Sequence, residues 1–131
     1  MIGLDTNILL RYLMQDDVAQ AARAKDLIEQ QLSEEEPGFV SVVVMAETAW
    51  VLERSYGQTS MDIAAAIERF LQIDAITVEH AQEVFIAVTA LRQGRGTFAD
   101  ALIGELGRRA GCTSTMTFDR KALRLPHFAA L

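Results

Sequence analysis

The sequence predicts an α/β domain in which a parallel sheet is covered on both faces by helices. Short apolar runs (MIGL, FVSVVVM, AITV and CTSTMT) alternate with longer stretches whose apolar residues recur at helical spacing. Strands that alternate with helices are the pattern of parallel sheets, which bury both faces. At 131 residues, 50% of them apolar and 23% charged, the chain has the size and composition of one globular domain, residues 1–131, with a core of its own.

The chain opens with a very short strand, MIGL, and DTN starts a helix whose Ile8, Leu9, Tyr12 and Leu13 share one apolar face. A second helix follows Asp16 and Asp17, with Ala19, Ala22, Leu27, Ile28 and Leu32 as its periodic residues, and runs out in the turn SEEEPG. FVSVVVM holds a buried strand that leads directly into a helix through Glu47, Trp50, Val51 and Arg54. Gly57 stops that helix, and Thr59 or Ser60 caps the next, MDIAAAIERFLQ. AITV reads as a short strand, and Glu79 to Gln93 as an amphipathic helix ended by GRG. FADALIGELGRRAG is a helix closed by Gly111, CTSTMT a strand, and Asp119 a turn before a short helical RKAL. In parallel sheets, sites form at the carboxyl ends of strands, where Asp5 and Asp119 both fall.

No run of 18 apolar residues exists, so no membrane span is expected. The segment MIGLDTNILLRYLM lacks the basic start and small-residue cleavage site of a secretory signal. The single cysteine, Cys112, has no internal partner and no nearby base, so a reducing cytoplasm is the expected setting. The net charge of −6 is unevenly spread: residues 1–91 hold 15 acidic and 5 basic side chains, residues 92–131 hold 3 acidic and 7 basic. Arg92, Arg95, Arg108, Arg109, Arg120, Lys121 and Arg124 either form a basic surface or are solvated helix faces.

Four carboxylates stand out. Asp5 and Asp119 follow strands, where an ordinary N-cap is the simpler explanation of either taken alone. Glu47 has Val43, Val44, Trp50 and Val51 three and four positions away, which puts it on an inward apolar face. A carboxylate there costs stability unless it is paired or coordinates a cation. Asp100, early in its helix, shares a face with Ile103, Gly104 and Gly107 and has no basic partner, whereas Glu105 has Arg108 and Arg109 as salt-bridge partners. Gathered at one sheet edge, the four would repel one another unless a divalent cation sat among them. Oxygen ligands without His or Cys suit Mg²⁺ or Mn²⁺ better than Zn²⁺. His80 and His127 lie away from the motifs and read as surface or helix-start residues, and no GxxxxGK[ST], GxGxxG or GxSxG motif is present.

Four motifs in order, LDTN, AET inside an apolar helix, FADALIG and TFDR, resemble the PIN-domain family of metal-dependent ribonucleases, and within it the VapC-like toxins of toxin–antitoxin pairs. The resemblance covers the whole chain. It implies a three-layer α/β/α fold with a short, mainly parallel central sheet. It also implies that Asp5, Glu47, Asp100 and Asp119 are the metal-binding, catalytic acids, with Thr6, Asn7 and Thr117 hydrogen-bonding the carboxylates or the ion's water. An RNA substrate, a cognate antitoxin and a homodimer are implied with it.

The chemistry expected on that basis is an in-line attack of water on phosphorus, with one or two divalent ions activating the water and stabilising the leaving 3′ oxygen. Asp5 and Asp100 are the principal ligands expected, and Arg92, Arg95, Arg120 and Lys121 would hold the RNA backbone. A catalytically silent binding module is the alternative. An Asp-nucleophile phosphatase fits less well, because it needs a second Asp where Asn7 stands and a well-placed Lys that is missing.

Overall fold

The computed structural model describes residues 1–131. Strand β1 (Ile2–Gly3) leads into helix α1 (Thr6–Met14), and α2 (Val18–Asp26) continues as one π-helical stretch, Leu27–Gln31. Strand β2 (Gly38–Val40) enters α3 (Val42–Arg54), and α4 (Ser60–Leu71) follows. Strand β3 (Ile76–Val78) precedes α5 (Ala81–Arg92) and α6 (Phe98–Arg109). Strand β4 (Thr115–Thr117), a 3₁₀ turn (Ala122–Arg124) and β5 (Phe128–Ala130) complete the chain. Helices and short parallel strands make a three-layer α/β/α arrangement. No helix is long and apolar enough to cross a membrane.

All strand pairings are parallel, but the strands fall in two sheets, β1-β2-β3 and β4-β5. Strand β5 has no counterpart among the apolar runs of the sequence, being three residues long and unmarked by any apolar alternation. Gly38 lets Leu32 and Leu4 close over β2: a Cβ there would lie 2.8 Å from Leu32 Cδ1 and 2.9 Å from Leu4 Cδ1, so both leucine ends would have to shift.

Local capping decides where strand becomes helix. Val42 to Val44 favour strands, yet they are helical because the Ser41 hydroxyl accepts the Val44 N–H (3.2 Å) and the Glu79 carboxylate accepts the Val42 N–H (2.9 Å). Thr59 caps α4 in a reciprocal box with Asp62. Gly57, Gly94 and Gly111 end helices at positive φ.

One continuous core takes in Leu9, Val40, Met45, Leu52, Ile67, Phe70 and Val88, with contributions from nearly every element. The inward face of α2 and its continuation is Ala21, Ala24, Ile28 and Leu32, spaced by three and four residues, whereas Ala19 and Ala22 are off that face and exposed. Gly104 is a packing residue: a Cβ there would come within 2.8 Å of the Phe128 ring, so β5 sits on the smooth face that follows Asp100.

Glu105 is not the solvated acid that its spacing suggests. It is 4% exposed and pairs with Arg108 (3.1 Å) and with His127 (3.3 Å), which is therefore no free surface residue. Arg109 instead reaches Glu83 (2.7 Å), which is 2% exposed. That hydrogen bond holds the Glu83 carboxyl below the ordinary carboxylate range. His80 occupies the N-cap position of α5.

Loss of Arg109 strands a buried carboxylate, while loss of Glu83 leaves a guanidinium that water can reach. Arg109→Ala should therefore cost about 3 kcal/mol and Glu83→Gln about 1 kcal/mol, read by urea unfolding. Because the folded-state pKa of Glu83 is depressed, the pair's contribution is present at neutral pH. It should fade as pH falls through that folded value, and Arg109→Ala should lack this acid limb.

Candidate active site

Asp5 ends the segment after β1 and caps α1, its Oδ1 accepting the Thr6 N–H at 2.8 Å. Thr6 is 4% exposed and donates its hydroxyl to Glu47 Oε1. A single threonine therefore touches two of the acids, one through its backbone and one through its side chain. Glu47 itself is exposed, not inward-facing. Its apolar neighbours Val43 and Trp50 are exposed too, and this face of α3 is a surface beside the acids.

Asp100 stands in the first turn of α6, half-buried, and its N–H bonds the hydroxyl of the N-cap Thr97 at 3.1 Å. Asp119 lies in the turn after β4. Its N–H bonds Thr117 Oγ1 (2.9 Å), and its Oδ1 accepts the Lys121 N–H (2.9 Å). Asp100 and Asp119 line one cleft of about 390 Å³ with Ala46, Trp50 and Glu53 of α3 and with Arg95, Lys121 and Arg124.

The structure thus groups the acids two and two, Asp5 with Glu47 around Thr6 and Asp100 with Asp119 in the cleft. Helix α3 joins the groups, since it packs against both α1 and α6 and its Ala46, next to Glu47, is in the cleft wall. No three His, Cys, Asp or Glu side chains stand close enough together to hold an ion. What fits a hard cation is the donor chemistry. All four are carboxylates, none is in a salt bridge, and Mg²⁺ often takes only one or two carboxylates while keeping its waters.

Of the three small polar residues that the resemblance implies, Thr6 hydrogen-bonds the Glu47 carboxylate, whereas Thr117 accepts the backbone N–H of Asp119 and touches no carboxylate. Asn7 is exposed and lines a different cleft, between α1 and α2, and hydrogen-bonds none of the four acids. Among the cations, Arg95 and Lys121 line the acid cleft, Arg120 is exposed outside its lining, and Arg92 is bound to Glu68. Glu53, Trp50 and Thr97 also line this cleft, beyond the residues that the motifs point to. Thr97 was legible as a Thr three residues before Asp100 at a helix start, and Trp50 as the residue one turn beyond Glu47.

A family model described as PIN domain matches residues 2–127. No curated protein matches the chain.

The geometry separates acids that hold backbone from acids that do not. Asp5→Ala and Asp119→Ala, which each remove an acceptor for a backbone N–H, should cost about 1 kcal/mol. Glu47→Gln and Asp100→Asn should stay within about 0.5 kcal/mol of wild type in metal-free urea unfolding.

Proposed function

The chain belongs to the PIN-domain family, whose nuclease-type fold generally serves metal-dependent ribonucleases, and from that premise we propose that it is an endoribonuclease, the toxin of a toxin–antitoxin pair. The observation that carries the reading is that Asp5, Glu47, Asp100 and Asp119 are free of ion pairs, although Arg95, Lys121 and Arg124 line the cleft. Carboxylates left unpaired beside cations suit a site whose counter-charge arrives with its ligand.

Asp5, Glu47, Asp100 and Asp119 would hold one or two Mg²⁺ or Mn²⁺ ions, with Asp5 and Asp100 as the principal ligands. Such an ion supplies Lewis-acid stabilisation of phosphoryl oxygens and lowers the pKa of a water. The protein's own groups do the rest. Thr6 fixes the Glu47 carboxylate and Thr117 fixes the Asp119 turn. Arg95, Lys121 and Arg124 are placed to take RNA phosphates on the cleft wall, which draws the backbone toward Asp100 and Asp119.

Residues 1–131 act as one unit in this reading, supported by the continuous core. The order and spacing of the four motifs support the VapC-like subtype, and with it a cognate antitoxin and a homodimer. A cytoplasmic setting suits the exposed free thiol of Cys112.

Thermal unfolding with and without Mn²⁺ tests the metal site without knowledge of the RNA. The wild-type Tm should rise by the equivalent of about 2.7 kcal/mol at a hundredfold excess over Kd, and Asp100→Asn should abolish most of that rise. An unchanged wild-type Tm would count against a resident ion. Pooled RNA should be cleaved only with added metal, and at least about a hundredfold more slowly by Asp100→Asn. Phosphate release from a small phosphoester without RNA cleavage would turn the reading to a phosphatase. Lys121→Ala should lower the slope of log K against log salt by about 1.

A further inference from the structure

Trp50 is the chain's single tryptophan and is 58% exposed. The core side of α3 is Met45, Thr48, Ala49 and Leu52, so the indole is spare to the packing. It lines the cleft that holds Asp100, Asp119, Arg95, Lys121 and Arg124, one helical turn beyond Glu47. The Arg54 guanidinium lies 5.4 Å from the ring centroid. The ring is more than half exposed although that guanidinium stands over it, and an aromatic ring exposed beside cations is how proteins hold single-stranded nucleic acid, the cations taking phosphates and the ring a base. A base inside a duplex cannot use the ring, because both its faces are already stacked. A protein partner fits less well, since the centre of a protein interface is depleted of charge and this cleft is lined by six charged side chains, Glu53, Arg95, Asp100, Asp119, Lys121 and Arg124.

We propose that Trp50 is the platform on which an unpaired nucleobase beside the scissile phosphodiester stacks, so that Trp50 selects RNA with an unstacked base at that position. The inference rests on the ribonuclease reading. It makes Trp50 a specificity-determining residue with no part in metal binding.

As the only indole, Trp50 reports on its own occupancy. The full chain would be titrated, in EDTA and again in Ca²⁺, with a mixed-sequence oligoribonucleotide and with an abasic strand of equal length and charge. The oligoribonucleotide should quench Trp50 fluorescence, and the abasic strand should bind about 10- to 100-fold more weakly without quenching. Trp50→Ala should weaken oligoribonucleotide binding by the same factor, and Trp50→Phe should restore most of it. Equal binding of both strands without quenching, together with an unaffected Trp50→Ala, would overturn the platform and leave the nuclease reading standing. Loss of a dimer in Trp50→Ala with unchanged RNA binding would overturn it in favour of a protein contact. If wild type neither binds nor cleaves RNA, both readings fall.

Discussion

The Glu79 carboxylate that accepts the Val42 N–H ties the end of β3 to the first turn of α3, and the arrangement of the acids depends on that junction. Three consecutive valines would extend β2 if nothing satisfied the helix's first N–H groups. Ser41 and Glu79 satisfy two of them and so set the residue at which the helix begins. Because each residue turns a helix by about 100°, a start displaced by one position would carry Glu47 away from Thr6 and Trp50 out of the cleft. Helix α3 is the only helix that contributes to both acid groups, so its register fixes how the two stand to each other.

The chain uses its ion pairs on one task and withholds them from another. Arg108 and Arg109 neutralise Glu105 and Glu83, the two buried carboxylates of α5 and α6, and with the His127 contact to Glu105 this anchors the helix that carries Asp100. Such pairs hold geometry more than they add net stability, since desolvation offsets much of the attraction. The candidate site acids are exposed or half-buried and unpaired, where water rather than a guanidinium satisfies them. The acidic balance of the chain and its basic last third therefore describe different jobs. Some cations lock α6, and others stand free beside Asp100 and Asp119.

Features written in neighbouring residues were legible from sequence. The order of elements, the caps at Asp5 and Thr59 and the glycine stops all follow from local chemistry that the structure repeats. What escaped depended on contacts between distant segments. The apolar neighbours of Glu47 point to an inward face, yet Val43 and Trp50 are exposed, since no element packs over that face of α3. Glu105 was placed outside because arginines follow it, but the chain returns with His127 and covers it. Strand β5 has only three residues and exists by pairing with β4. Arg92 looked free until Glu68 of α4 met it. Spacing can say that four acids share a fold. Whether they stand at one point or in two groups is set by helix packing.

A common device holds all four. Thr6 bonds Asp5 through its N–H and Glu47 through its hydroxyl, Thr97 accepts the Asp100 N–H, and Thr117 accepts the Asp119 N–H. Threonine is stiff at χ1, so its hydroxyl is already aimed and little entropy is lost in holding the acid's position. It is also neutral. A lysine or arginine at position 6 could fix Glu47 equally well, but it would occupy the carboxylate and oppose any incoming cation. Orientation without neutralisation is what a site needs if its positive charge is to come from outside the chain. Thr6 holds the Glu47 carboxylate in that way, while Thr97 and Thr117 hold the backbone of Asp100 and Asp119 and leave both carboxylates out of any ion pair.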